Sequence, residues 1–369
     1  MKKRRNYQSV QTKLELLLHE RKETFFPNEL SYILDQLTGI LSESEFVCID
    51  ETKNGNDVNT FEIIQSIKQD KNRILKFVDY YMEGKLSSCF HAFNIWWNEK
   101  SFGSYDEEYE RTYFYRMRER KKDDKAFGYK DLLHIPFDKR GIIGNQRYSI
   151  NGFPCLYVST SLYESWEELR RPHLQNLCAV AMVFTKSLKL LDLRLTRDIS
   201  SANQLRSYLL RLPLILACSI KVIEDNATFK PEYIISQTLL HSIRKDLDGI
   251  LYTSLRKDYS FYDSDFDKCS NNDNIVLPVK TNKKNGHCEE LMKIINVSET
   301  LNFEHEIIKG DIDVNRVSNQ DSNKYENTLM GQMEKQLKKV MYYIPINSQG
   351  LKDTFGLGGL NAKYKHKLV

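Results

Sequence analysis

The residues best placed to do chemistry surround one predicted strand. Arg147 precedes the run CLYVS, Tyr157 lies within it, and Glu168 follows in LYESWEEL. CLYVS has the alternation and the β-branched and aromatic content of a buried strand. Residues 162–169 read as the start of a helix, with Ser161 as its N-cap. An arginine before a strand, a tyrosine in it and a carboxylate on the next helix can converge on one cleft. A guanidinium fork grips pyrophosphate. The tyrosine supplies a ring face and a hydroxyl. A carboxylate stabilises a developing sugar cation. Together they suit a phosphate-bearing nucleotide with a cleavable glycosidic bond. Glu167 competes with Glu168. A helix turns adjacent side chains roughly 100° apart, so one should face the cleft and the other solvent.

The surrounding elements must hold these groups. Residues 177–186, LCAVAMVFTK, form a near-continuous apolar run and read as a central strand, with 188–194 as the next. Residues 202–220 read as a helix interrupted at Pro213. Residues 231–245 read as an amphipathic helix with Pro231 near its first position. Short strands are expected over 249–254 and 274–280. Strands and helices alternate without a strict βαβ rhythm, which predicts an α+β fold with a mixed sheet. Residues 1–105 form a helical N-terminal region, with apolar stripes near 14–18, 30–41 and 61–82. Trp96 and Trp97 are expected to plug that region onto the next domain. The run RERKKDDK, 118–125, reads as a solvated loop. The chain thus divides into 1–105 helical, 106–288 catalytic, and 289–369 as a polar helical and irregular C-terminal extension.

Composition narrows the class. A chain of 369 residues is long enough to bury a large core without disulfide staples. The net charge of +4 gives no strong case for nucleic acid, which leaves room only for a local basic patch. The seven cysteines are scattered with no CxxC, and Cys155, Cys178 and Cys218 sit in apolar runs. This favours a reducing compartment and no structural zinc. The basic opening MKKRR is followed by polar residues, so secretion is not expected. No window approaches the ~18 apolar residues of a membrane span. A cytoplasmic protein is expected. The eight histidines show no HxH or HExxH spacing, and His134 reads as a structural turn histidine. The glycines form neither GxGxxG nor a Walker motif. No metal site is therefore expected.

The order of these segments resembles the RES domain, a family named for an arginine, a glutamate and a serine. Its G-x-R-[WY]-x-x-x-G-x-P-x-x-Y segment is similar to the stretch holding Arg147, Tyr148, Gly152, Pro154 and Tyr157. Glu168, rather than Glu167, falls in the family glutamate's register. The family's Y-x-S segment after a glycine is matched by Gly249, Tyr252 and Ser254. Its closing strand is matched by Asn274-Ile275-Val276-Leu277-Pro278, and its opening Tyr-Arg-x-Arg by Tyr115-Arg116-Met117-Arg118. The likeness covers roughly residues 112–280. Gln146 stands where a glycine is usual and Tyr148 where a tryptophan is.

The resemblance implies an ADP-ribosyltransferase-like fold and an enzyme that consumes NAD as substrate by breaking the nicotinamide–ribose bond. Water or phosphate would be the acceptor, with no metal involved. It implies that Arg147 holds the pyrophosphate and Tyr157 packs on the nicotinamide or ribose. Glu168 would bind the ribose hydroxyls and offset the positive charge. Ser254 would orient the nicotinamide ribose or the attacking phosphate. Arg116 or Arg118 would line the phosphate channel, with Arg116 the chosen candidate. Such domains are often toxins held by an antitoxin, so an antitoxin or other regulatory protein is an expected partner. Two other readings stand beside this one. One is transfer of ADP-ribose to a protein; Ser159-Thr160-Ser161 resembles a signature of one class of such transferases. The other is a non-enzymatic helical interaction protein with a degenerate domain.

Overall fold

The structure is a computed structural model and describes residues 5–43, 60–100, 106–108, 113–121, 127–195, 199, 202–243, 247–255, 273–304, 329–339 and 344–345. Four helices open the chain: α1 (Arg5–His19), α2 (Phe26–Ser42), α3 (Thr60–Met82) and α4 (Leu86–Lys100). Their apolar residues recur at helical spacing; α3 buries Ile63, Ile67, Ile74, Phe77 and Val78 along one stripe. On α4, Trp96 packs against Phe77 and Phe93 at ring distances of 5.7 and 5.3 Å. Its Nε1 donates to Asp70 Oδ1 at 2.8 Å, so the buried indole is satisfied. Trp96 thus ties α4 to α3. The same core then runs on into α6 (Ala202–Cys218) and α7 (Ile234–Ile243).

One mixed sheet organises the rest. Its strands are β1 (Asp106–Glu108), β2 (Tyr113–Glu119), β3 (Cys155–Ser159), β4 (Leu177–Phe184), β5 (Lys189–Asp192), β6 (Gly249–Thr253), β7 (Asp273–Pro278), β8 (Ile295–Val297), β9 (Leu301–Asn302) and β10 (Ile344–Pro345). The order is β1-β5-β6-β7-β3-β2-β4-β8-β10, with β9 also on β4. β5 and β6 run parallel, and the other described pairs are antiparallel. The fold is α+β with a helical N-terminal region. The apolar run on β4 has a simple cause: the strand is buried on both faces. Ala179 and Ala181 face one core, Val180 and Met182 another.

Three expectations change. The helix does not stop at Pro213, because α6 continues through it. Leu209, Leu212, Leu214 and Leu216 are fully buried around it, and that packing outweighs the hydrogen bond that proline removes. Arg118 and Glu119 belong to β2, not to a solvated loop. Position 288 is not where the sheet ends: α8 (Glu289–Lys293), β8, β9 and β10 follow it, and β8 and β9 both pair with β4. The helix α9 (Leu329–Lys339) packs on the short helix α5 (Leu162–Glu168) and on β4.

Candidate functional site

The sheet divides between β2 and β3. β2 pairs with β4 along seven residues but meets β3 only at Tyr115↔Ser159. Beyond that pair the strands diverge, and a cleft of about 930 Å³ opens beside them. Arg116 Nη1 reaches across the split and donates to the Tyr157 carbonyl at 2.5 Å. Arg116 and Arg118 sit two residues apart on one strand, so they share a face. Both line the cleft. Neither forms an ion pair among the described residues, and Arg116 Nε is buried with no hydrogen-bond partner there. Burial, reinforced by the charge of Arg118, pushes the Arg116 pKa down to about 9. It stays charged at neutral pH, at a desolvation cost that an anion could relieve.

At the same cleft, β3 runs into α5 through Ser161, whose hydroxyl caps the helix by accepting from Glu164 N at 3.0 Å. Glu168 ends that helix. Its Oε1 accepts from Ser254 Oγ and from Asn274 Nδ2, both at 2.8 Å. Ser159 Oγ in turn donates to Asn274 Oδ1 at 2.6 Å. The register explains the meeting: Asn274 on β7 lies opposite Ser159 on β3 and Tyr252 on β6. Gly249 lets β6 approach, since a Cβ there would run into the Val276 carbonyl. The structure therefore brings Glu168 and Ser254 together, 86 residues apart in sequence.

Tyr157 also lines the cleft, and its hydroxyl shares a 2.9 Å hydrogen bond with Ser149 Oγ. Burial holds its pKa well above the ordinary value, so it keeps its proton. Tyr252 lines the same space and packs on Tyr148 at a ring distance of 4.7 Å.

Arg147 lies on the cleft wall, yet two of its donors go to backbone. Nη1 reaches Cys218 O at 2.9 Å and Nη2 reaches Ile220 O at 3.0 Å. Its guanidinium sits over the Tyr233 ring at 5.0 Å. It therefore closes the C-terminal end of α6, where carbonyls lack helical partners.

Glu167 does not face solvent. It is buried, and Arg171 grips it through Nε at 2.9 Å to both oxygens. Arg170 and Arg171 carry φ of 67° and 53°, left-handed values unusual for residues other than glycine. Their amides close the end of α5 on Glu167 O and Trp166 O, so the strained turn fixes where Glu168 stops. Ser159, Thr160 and Ser161 are each engaged locally: Thr160 Oγ1 donates to Asp273 O at 3.2 Å, and the other two bond as above. His134 lies off the cleft, its Nε2 accepting from Cys288 N at 2.8 Å.

Asn274 is a site residue that the sequence pattern places only within a strand. The available signal was a polar side chain in the otherwise apolar run NIVLP, which has to find partners if buried. Among the described residues no group of three or more His, Cys, Asp or Glu is arranged to hold a metal. Nor is any described helix long and apolar enough to cross a membrane.

A protein of Bacillus subtilis (strain 168) described as "Putative toxin YopC" is similar to this chain. The two are 29% identical over 278 residues, covering 65% of this chain and 60% of that protein. The matched region is thus under two thirds of the relative's length. No family model matches the chain, so its likeness to the RES domain rests on the motif segments themselves. No solved structure matches it.

Proposed function

We propose that this protein is an NAD-consuming enzyme that breaks the nicotinamide–ribose bond and acts as a toxin. The observation that carries the reading is Glu168, whose Oε1 is held by Ser254 and Asn274 at one side of a cleft that also receives Arg116 and Arg118. A fixed carboxylate and paired guanidinium groups lining one cleft suit a ligand that carries both a ribose and a diphosphate. The name of the Bacillus relative supports the toxin role; a protein inhibitor as partner belongs to the same proposal and rests on the likeness to the RES domain.

In the reaction, the C1′–N bond breaks and its electron pair leaves with nicotinamide, which becomes neutral. The ribose passes through an oxocarbenium-like state. Water or phosphate then attacks C1′, and with water a proton is released. Glu168 accepts from the ribose hydroxyls and offsets the developing positive charge. Ser254 and Asn274 hold it in one rotamer. Arg116 and Arg118 take the diphosphate, a role the geometry supports better for them than for Arg147. Tyr157 and Tyr252 offer ring faces to the base or ribose.

The test is to incubate purified protein with NAD, with and without phosphate and with a chelator, and to identify products. Free nicotinamide with ADP-ribose, or with ADP-ribose 1″-phosphate when phosphate is added, is the expected result. Intact NAD in every arm would overturn the reading. Activity lost to the chelator and restored by a divalent metal would overturn its metal-free form.

A further inference from the structure

The helix that carries Glu168 does not stand on its own. α5 has seven residues, Leu162–Glu168, far fewer than an isolated helix needs to persist. Its last turn is closed by the Arg170 and Arg171 amides, and Glu168 must arrive within 2.8 Å of both Ser254 and Asn274. At its first turn, Ser161 serves the Glu164 amide. The amide of Leu162 is served from 172 residues further along: it donates to Oε1 of Glu334 on α9 at 2.7 Å. Glu334 is buried, as are Met330, Met333 and Leu337 beside it on the same helix. These α9 residues form one core with Leu162, Tyr115 and Met117. Tyr115 and Met117 flank Arg116 in β2. A carboxylate at this end of a helix also opposes the positive end of its dipole. α9 thus meets both the helix bearing the carboxylate and the strand bearing the cleft arginines.

We propose that α9 is a working part of the site and that Glu334 is a positioning residue for Glu168, anchoring the first turn of α5 so that its last turn meets Ser254 and Asn274. This rests on the reading of Glu168 given above. Because the anchor acts on the carboxylate that serves the transition state, its loss lowers kcat and spares KM. The residues that hold the diphosphate lie on β2 and keep their own backbone pairing with β4.

The experiment compares the full chain with its Glu334→Ala and Glu334→Gln variants. Steady-state NAD cleavage and amide hydrogen exchange over residues 162–168 are both measured, and rates are referred to folded protein. Glu334→Ala is expected to lower kcat about tenfold with KM within about twofold, and to speed exchange at the start of α5. Glu334→Gln keeps an oxygen acceptor and is expected to recover most of both. An alanine variant with parental kcat per folded molecule overturns the proposal, as does a glutamine variant no better than alanine. If the parent cleaves no NAD, the proposed reaction fails, and exchange alone decides the anchor: unchanged protection over 162–168 in Glu334→Ala overturns it.

Discussion

The loop carrying Arg147 and the strand carrying Arg116 face one cleft, but their guanidinium groups meet different surroundings. Arg147 spends two donors on the carbonyls of Cys218 and Ile220 and rests on Tyr233, so its charge completes the end of a helix. Arg116 spends one donor on the Tyr157 carbonyl, keeps Nε buried without a partner among the described residues, and shares its strand face with Arg118. The first arrangement is stable without a ligand. The second leaves positive charge and a donor unanswered in a site with room for an anion. A motif arginine can thus hold the architecture of a site while a less prominent one nearby meets the substrate.

The largest effect is expected on the carboxylate side of the cleft. Glu168→Gln preserves shape and removes charge, and should lower nicotinamide release at saturating NAD by about 10²–10³. Glu167→Gln should leave turnover within a few-fold. It breaks the bidentate contact with Arg171 instead, so its loss should appear in denaturant unfolding. If the two outcomes are exchanged, the roles assigned to these neighbours are reversed.

The arginines come next. Arg116→Lys cannot fork, and should weaken ADP-ribose binding by about 10- to 100-fold in calorimetry, the range for a hydrogen bond to a charged group. Arg147→Lys should leave that affinity nearly unchanged and lower stability by about 1–3 kcal/mol in equilibrium unfolding, because one ammonium cannot reproduce the planar fork to both carbonyls. Equal affinity losses in the two variants would erase the distinction between them.

Much of this arrangement was legible in the sequence. CLYVS, the helix after Ser161 and the strands around 250 and 275 all stand where periodicity and capping put them, since each signal is local. Glu168 and Ser254, singled out through a family likeness, are hydrogen-bonded to each other. What was not legible depends on contacts distant in sequence. That Asn274 joins Glu168 to Ser159 follows from the β3–β7 register, which no local pattern encodes. That Arg147 is occupied follows from where α6 ends, and the expected break at Pro213 obscured that end. Helical rotation says only that Glu167 and Glu168 diverge, not that the one turned from the cleft meets solvent. The partner that buries Glu167, Arg171, comes from a left-handed turn that arginine rarely forms.

The smallest effect lies near Arg116 and is one of pH. Burial is the main cause that brings the His134 pKa down to about 4; the hydrogen bond to Ile135 O works against it, and the neighbouring His287 and, last, the charge of Arg116 add to the fall. The ring is neutral, its Nδ1–H donating to Ile135 O at 2.8 Å and its Nε2 accepting from Cys288 N. The folded pKa lies below the ordinary histidine value of 6.5, so the unfolded chain takes up this proton first. This contribution to stability is therefore whole above about pH 6.5, declines as the pH falls towards 4, and is constant below that. By about pH 5.5 the loss should be on the order of 1 kcal/mol relative to pH 7.5, measured by urea unfolding at each pH. His134→Gln keeps an acceptor for the Cys288 amide and cannot titrate, so its stability should lack that component of the acid slope. An identical slope in parent and variant would show that His134 does not carry it. The attribution would then pass to His287, whose ring lies 5.0 Å away and whose pKa burial also lowers.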